Sequence, residues 1–502
     1  MNLKMMLEKT ANQYAGNTAI VSGERRISYA ELNESANKFA NALIEMGVKK
    51  GDRVATLLTT SPEFVAVYFG ILKAGGIAVP LDIRYKGGEL VSLFANCHPN
   101  VLVVEGSVLE PLMPILHRFD SVEHIVEVGS KSDGRFLNYG EIMTTGSAQQ
   151  VGVELEADDV ATISYTGGPT SRPHGAMLTH GDIVTEVIMS GKGFQQTEKD
   201  VVMFFALPMY HMFGLASVLL TAIDKGSTVV IVPGTGRSIS SFLAAIEKER
   251  GTIYLGVPYI YALAISVAER EGINSDLSSV RLWGSGGAPL PPGIREKFKH
   301  HYGFEILDIW GLTEAVSHVT YQPLDGTARP ESSGKALPGW EIKIVDDGGR
   351  ELPPDQPGEI IIRGPIMKGY YNNPEDSASA IKDGWLYTGD VGSLDEDGYL
   401  HLSGRKKRMI ILKGQNVYPI DIEAVLSTHN KIARVKVTGI PDILRGEIVQ
   451  ADIKLKDEAS ATEHEIRSFC QGRMADYKLP KRIIFTNSVP EGAATKVTRK
   501  RV

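Results

Sequence analysis

Cysteine is scarce: only Cys97 and Cys470 occur in 502 residues, far apart and in no metal-ligand spacing. A reduced, cytoplasmic setting is the simplest expectation. Positive charge is short as well, with 53 Lys and Arg against 60 Asp and Glu and a formal net charge of −7. General nucleic-acid binding usually needs a basic face, so it is not expected, and anionic ligands must be met by local cations. The N-terminus, MNLKMMLEKTANQY, has no extended apolar core and no small-residue cleavage site, which argues against a signal peptide. Long uncharged runs are also missing, except that Val201 to Ile223 carries no Asp, Glu, Lys or Arg over a length that could span a bilayer. Pro208, His211 and Gly214 interrupt it, so it divides better into a strand (Val201 to Leu207), a turn and a buried helix from Leu215. No membrane span is expected, and peripheral membrane contact stays open. Internal repeats and low-complexity tracts are absent, and oligomeric state is not readable.

What is there is a soluble globular composition, 43% hydrophobic and 23% charged, on a chain too long for one ordinary core. Ser28 and Glu31 form a capping-box pattern ahead of Leu32, Ala36, Phe39 and Leu43 at helical spacing, predicting a helix to about Gly47. A strand at Val54 to Leu58, a helix opened by Ser61-Pro62 and closed by Gly75-Gly76, and a strand at Ile77 to Pro80 make a βαβ unit. Buried-strand runs at 101–104, 228–232, 252–255 and 280–283 alternate with helical stretches such as 238–250, which means α/β layers around mostly parallel sheets. After about Gly339 the texture turns to short strands (341–345, 359–363, 399–402), a small β-rich piece. From Arg405 the pattern begins again, with strands near 409–412, 435–438 and 449–455 and helices at 419–427 and 463–474. The expected architecture is therefore a large α/β domain over residues 1–403 with a small β-rich subdomain, then a small α+β domain over 404–502.

Several stretches could carry chemistry. Asp308-Ile309-Trp310-Gly311-Leu312-Thr313-Glu314 follows a strand-like run, 305–309, at the kind of sheet edge where open α/β proteins bind ligands. A Glu there can hold Mg²⁺ and a Thr can bond phosphate; the plainer alternative is a turn with a helix-capping Thr. Tyr165 to Gly175 (YTGGPTSRPHG) offers Gly and Thr residues to phosphate oxygens, but it lacks the Gly-Lys-Ser/Thr ending of a Walker loop. Gly284 to Pro289 ends a strand with small residues that let backbone approach a flat base. Adenine could then lie between Gly287-Ala288-Pro289 and the Trp310 ring, with Asp308 accepting from its amino group. Tight strand-to-helix packing would explain the same residues. His211 in an apolar context is ordinarily a core residue, the basic run 405–408 a solvated face, and the tail around Lys496 a disordered end.

Taken together, YTGGPTSRPHG, LPMYHMFG at 207–214, GSGGAPL at 284–290, WGLTE at 310–314, YTGD at 387–390, Gly404-Arg405 and Lys496 resemble the acyl-adenylate-forming superfamily of acyl-CoA synthetases, adenylation domains and luciferases, over nearly the whole chain. The resemblance implies an AMP-forming acyl-CoA ligase using ATP, Mg²⁺ and coenzyme A on a small-molecule carboxylic acid. By resemblance, Thr166, Gly168, Thr170, Arg172 and His174 belong to the phosphate loop, Thr313 contacts the α-phosphate and Glu314 the Mg²⁺. Gly311 lies in the same nucleotide wall. Asp390 and Arg405 hold the ribose, Lys407 is the pivot of a mobile C-terminal domain, Gly414 lines the pantetheine tunnel, and Lys496 is the adenylation lysine. His211 takes a positioning role at the acyl pocket. Acetate-specific relatives carry a Trp where this chain has Gly311, which predicts room for a larger acid, fatty or aryl. The phosphate loop departs from the usual Thr-Ser-Gly-Thr-Thr-Gly-x-Pro-Lys-Gly at Gly167, Pro169, Ser171 and His174. That departure makes a catalytically weakened ligand-binding protein an alternative; a carrier-loading adenylation enzyme, which shares every motif, is another, and a luciferase-type oxygenase is a third that no residue favours.

Overall fold

The computed structural model describes residues 1–129, 134–166, 173–234, 238–272, 275–405, 409–442, 444–456, 458–486 and 494–495. Two seven-stranded sheets form its larger part. In the first, Leu137–Asn138, His124–Val128, Val101–Glu105, Arg53–Leu57, Ile77–Pro80 and Val160–Tyr165 run parallel, and Gly175–Thr179 closes the edge antiparallel. In the second, the order is Ile306–Asp308, Leu282–Ser285, Ile253–Gly256, Val201–Phe204, Thr228–Ile231, Thr18–Ser22 and Arg25–Ser28, parallel except for the last pair.

Helices between these strands form where the side-chain chemistry starts them. Ser28 caps Tyr29–Glu45 through a complete capping box with Glu31, and Ser61 caps Pro62–Lys73 with proline in the first turn. The two helices pack closely; a Cβ at Gly70 would lie 2.8 Å from Phe39, so the small residue lets them approach. The uncharged run resolves into a strand at Val201–Phe204, a π-helix at Phe213–Leu220 and a short helix at Thr221–Lys225. All eight residues of the π-helix are buried, which explains why the run carries no charge. Among the described residues no helix is long and apolar enough to cross a membrane.

A five-stranded antiparallel sheet follows, with Glu341–Val345, Gly358–Arg363, Trp385–Leu394, Ile381–Lys382 and Leu400–Arg405. The last sheet is built from Gln415–Val417, Ile410–Leu412, Gly446–Leu455, Ile432–Asp442, Ala494–Thr495 and Arg482–Phe485. Its core (Val417, Ile422, Val435, Val449, Ile453, Ile466 and neighbours) contains no residue before Ile410. Leu400–Arg405 thus pairs backwards into the small sheet while Ile410–Leu412 pairs forwards, and residues 406–408 lie outside the described residues.

Candidate active site

The carboxyl ends of Leu282–Ser285 and Ile306–Asp308 bring the two expected nucleotide stretches side by side, since Ser285 pairs with Asp308 and Ile309 N donates to Ser285 O at 2.8 Å. Asp308 is 7% exposed. Ser333 Oγ donates to its Oδ2 at 2.9 Å, while Oδ1 is buried with no hydrogen-bond partner among the described residues. Burial pushes the carboxyl up to about 7, opposed by the Ser333 bond and by Arg295. A buried acceptor in this condition is set for an incoming donor.

Trp310 Nε1 donates to Asp390 Oδ2 at 2.8 Å, joining the two residues expected at base and ribose. The indole backbone is fixed too, with its N–H on Thr320 Oγ1 at 2.8 Å and its carbonyl accepting from Val319 N at 2.8 Å. Arg405 is the strand partner of Asp390. Gly287, Ala288 and Pro289 lie at the surface of the adjoining loop, with Gly287 and Pro289 exposed and Ala288 half-buried.

Gly311 has a different reason to be glycine from the one expected. A Cβ there would stand 1.9 Å from Ser317 O and 2.3 Å from His318 Cα, because residues 311 and 318 form a β-bridge. The space is filled by backbone, so room for a larger acid does not come from this position. Thr313 and Glu314 follow in a short 3₁₀ turn, Thr313–Ala315, with Thr313 8% exposed.

Tyr370, unmarked by any local pattern, donates from Oη to Glu314 Oε1 at 2.7 Å. Burial and the Glu314 carboxylate hold its phenol well above the usual range. His174 packs edge-on to the Tyr370 ring, centroids 4.8 Å apart, and its Nε2 lies 2.9 Å from Asp376 Oδ2. The imidazole that replaces the usual lysine is therefore engaged with a carboxylate. Thr166 N donates to His174 O at 3.1 Å. Gly168, Thr170, Arg172 and the irregular positions 167, 169 and 171 lie outside the described residues, as do Lys407 and Lys496. Ala494–Thr495, just before Lys496, pairs with Arg434 and Val435.

His211 is partly exposed, its Nδ1 3.4 Å from Phe213 N, and loss of water around the ring holds its pKa below the ordinary value. A neutral ring suits positioning rather than charge. Thr60 Oγ1, bonded to Leu207 O and Met209 N at 3.2 Å each, fixes the loop that carries it. From the C-terminal sheet, the two-residue turn Lys413-Gly414 reaches this region with positive φ at both residues, 53° and 79°, as a tight hairpin requires. A Cβ at Gly414 would meet Val257 Cγ1 at 2.5 Å, one at Gly287 would lie 3.5 Å from Gly414 O, and Lys413 Nζ sits 4.4 Å from the Tyr259 ring centroid.

A buried polar group under the WGLTE turn also escaped sequence reasoning. His318 Nδ1 lies 2.8 Å from Ser217 Oγ and 3.2 Å from Glu186 Oε1, which accepts from Ser190 Oγ at 2.7 Å. Burial pushes the Glu186 carboxyl up and the His318 imidazole down, both towards the neutral form.

Residues 7–371 match the AMP-binding enzyme family and residues 421–496 match the AMP-binding enzyme C-terminal domain. The chain belongs to the AMP-binding enzyme family. Among relatives of this AMP-binding enzyme, a long-chain-fatty-acid–CoA ligase of Bacillus subtilis is 31% identical, over 100% of this chain and 94% of its own. An indoleacetate–CoA ligase of Aromatoleum aromaticum is 33% identical over 99% and 97%. Among solved structures, an o-succinylbenzoate CoA synthetase of Bacillus subtilis, bound with its product analogue, superposes with a TM-score of 0.85 at 27% identity, covering 98% of this chain and 97% of the other.

The donor set of this AMP-binding enzyme fits Mg²⁺ carried on a nucleotide. Among the described residues no group of three or more His, Cys, Asp or Glu could cage a metal. Mg²⁺ is commonly held by one or two carboxylates with phosphate and water oxygens, which is what Glu314 can offer. The orphaned Asp308 Oδ1 fits the amino group of adenine.

Proposed function

We propose that this chain is an ATP-dependent acyl-CoA ligase of the cytoplasm, acting through an acyl-AMP on a carboxylic acid larger than acetate, fatty or aryl. The observation that carries the reading is the meeting of three things at one sheet end: an orphaned buried acceptor on Asp308, the Glu314 carboxylate, and the Gly414 turn against Gly287. The names of the full-length relatives support the acyl-CoA product and the size of the acid.

In the first half-reaction the acid's carboxylate attacks the α-phosphorus of ATP and pyrophosphate leaves. Asp308 orients the base through its amino group, and Trp310 is held at the base by Asp390, which also takes the ribose with Arg405. Thr313 donates to the α-phosphate, and Tyr370 keeps the Glu314 carboxylate aimed. Bound Mg²⁺ supplies neutralisation of phosphate charge at Glu314. Lys496 adds a second cation, and the loop residues Thr166, Gly168, Thr170, Arg172 and His174 face the triphosphate. Little covalent chemistry falls to the protein here; charge stabilisation and in-line placement supply the rate. His211 positions the acid without removing a proton, since a carboxylic acid is already ionised at neutral pH. For the second half-reaction the C-terminal domain, 404–502, turns on Lys407 relative to 1–403. Lys496 withdraws, Gly414 lines the passage for the thiol, the CoA sulfur attacks the mixed anhydride, and AMP leaves.

The testing experiment is thermal-shift screening of acids with ATP and Mg²⁺, then AMP release with CoA as acceptor. A ligand at about a hundred times its dissociation constant adds ~2.7 kcal/mol. AMP release that depends on both acid and CoA supports the ligase. Release that requires a carrier protein instead of CoA overturns the assignment of the acceptor.

A further inference from the structure

A second polar cluster, made of residues with no assigned part in nucleotide binding, lies between the N-terminal sheets and the C-terminal sheet. Glu89 sits in the first turn of the helix Gly87–Cys97, and Lys478 ends the 3₁₀ turn Asp476–Lys478. Lys478 Nζ donates to Glu89 Oε1 at 2.7 Å, with the side chains 1% and 5% exposed. Glu89 Oε2 accepts from Lys86 N at 2.9 Å, so the carboxylate is anchored at its helix start. Beside them Asp421, in the first turn of Pro419–Ser427, is 6% exposed, and neither of its carboxylate oxygens has a hydrogen-bond partner among the described residues. Aromatic rings close the cluster: Lys478 Nζ lies 5.1 Å from the Tyr85 ring centroid, and the Arg84 guanidinium 4.4 Å from that of Tyr477.

We propose that Glu89, Lys478 and Asp421 are positioning residues, a proton-linked latch that holds the C-terminal domain in the orientation that lays Gly414 against Gly287 and Val257. The assignment of that orientation to thioester formation rests on the two-step reading above. Lys478 and Glu89 are buried in this orientation because the two parts of the chain cover them, and separation would return both ends to water. Removing one partner therefore strands a buried charge in the docked orientation alone.

Asp421 adds the proton. Burial pushes its carboxyl up to about 7, with Lys478 lowering it and Glu89 raising it; Tyr85, on the segment before the Glu89 helix, faces it as well. On undocking, Asp421 meets water and returns towards the ordinary range near 4. A group whose pKa is raised on docking favours docking fully below its undocked value and loses that favour as pH rises to the docked value. Docking therefore weakens from about pH 4 to about pH 7, by up to about tenfold per unit, and levels off above.

The test uses the full chain with spin labels at Glu24→Cys and Glu458→Cys, both exposed, and needs no substrate. Without ligand at pH 6, the parent gives one dominant distance, and Lys478→Met shifts at least half of the population to other distances. Asp421→Asn keeps the parent distance from pH 5.5 to 8, while the parent loses it progressively up to about pH 7. Identical distributions in the parent and Lys478→Met, or an Asp421→Asn profile that follows the parent, overturn the latch. With dodecanoyl-AMP or indoleacetyl-AMP and CoA, Lys478→Met slows thioester formation at least tenfold and leaves ATP–pyrophosphate exchange within twofold. The double variant Glu89→Gln, Lys478→Met loses less than the product of the two singles. Equal loss of both half-reactions makes the cluster merely structural. A parent that forms no thioester from any of a panel of fatty and aryl acyl-AMPs, while Lys478→Met still shows the distance shift, refutes the ligase reading and leaves the latch standing.

Discussion

Asp308 gives the sharpest handle on nucleotide recognition, because its carboxyl titrates near 7 in the free protein and its Oδ1 awaits a donor. An adenine amino group donates, and with Oδ2 already taken by Ser333 the ionised carboxylate is the form whose Oδ1 accepts it best. Bound affinity should then fall as the carboxyl protonates. With a pKa of about 7, the factor 1 + 10^(pKa − pH) is about 11 at pH 6 and about 1.1 at pH 8, a loss of affinity of up to about tenfold on acidification. Adenosine is the right probe, since it carries no phosphate to titrate over this range. Inosine, with a carbonyl in place of the amino group, needs a donor and should bind the protonated carboxyl, so its affinity rises as pH falls. Calorimetry or chemical-shift titration of both nucleosides from pH 5.5 to 8.5 reads the two slopes. Asp308→Asn offers an acceptor and a donor at every pH and should flatten both. Parallel or flat profiles for the two nucleosides in the parent protein would refute the placement of adenine on Asp308.

Tyr370→Phe keeps the ring against His174 and removes the bond to Glu314. A hydrogen bond to a charged group contributes ~1.5–3 kcal/mol, so ATP–pyrophosphate exchange should slow roughly 10- to 100-fold with a raised Mg²⁺ requirement and an unchanged KM for the acid. Gly311→Ala should destabilise the fold by about 3 kcal/mol or more, read as a lower urea midpoint, because its Cβ meets backbone on both sides and no rotamer relieves it. A pocket role would instead leave stability intact and change acid preference. Restoring the usual loop chemistry with Gly167→Ser, Pro169→Thr, Ser171→Gly and His174→Lys tests whether the departures weaken catalysis. Two lost charge-assisted contacts correspond to roughly 10²-fold or more in exchange rate, and no gain over a brisk parent rate means the chain compensates.

The elements that announced themselves in the sequence were those with local chemical starts. Ser28-Glu31 and Ser61-Pro62 open helices where their side chains supply the first amide acceptors, and Pro419 opens a helix that ends at Ser427 as expected. Strand ends shifted by up to four residues: the expected 280–283 is Leu282–Ser285 and the expected 435–438 is Ile432–Asp442, since pairing partners decide where a ladder stops. The π-helix was not legible, because apolar periodicity does not separate an i+5 from an i+4 ladder in a run buried on all sides. Asp308, Trp310 and Glu314 stood out together in the sequence because seven consecutive residues, from a strand end to the next 3₁₀ turn, carry them. Tyr370, 56 residues beyond Glu314, and Glu186, far upstream of His318, meet their partners through tertiary packing alone. Gly311 was misread for a related reason: a missing side chain looks like open space in a sequence, while here it marks the approach of the 317–318 backbone.

The central claim is that one cleft runs two half-reactions served by different faces of one C-terminal domain, and separating them by mutation tests it most directly. Gly414→Leu places a side chain where Val257 already stands and forces a non-glycine residue to a φ of 79°, so the hairpin cannot seat. Acyl-AMP formation by ATP–pyrophosphate exchange and thioester formation from synthetic acyl-AMP are to be measured in Gly414→Leu and in Lys496→Ala. Lys496→Ala should lose exchange by orders of magnitude and keep the thioester step, and Gly414→Leu should do the reverse. Equal loss of both steps in both variants would contradict the account.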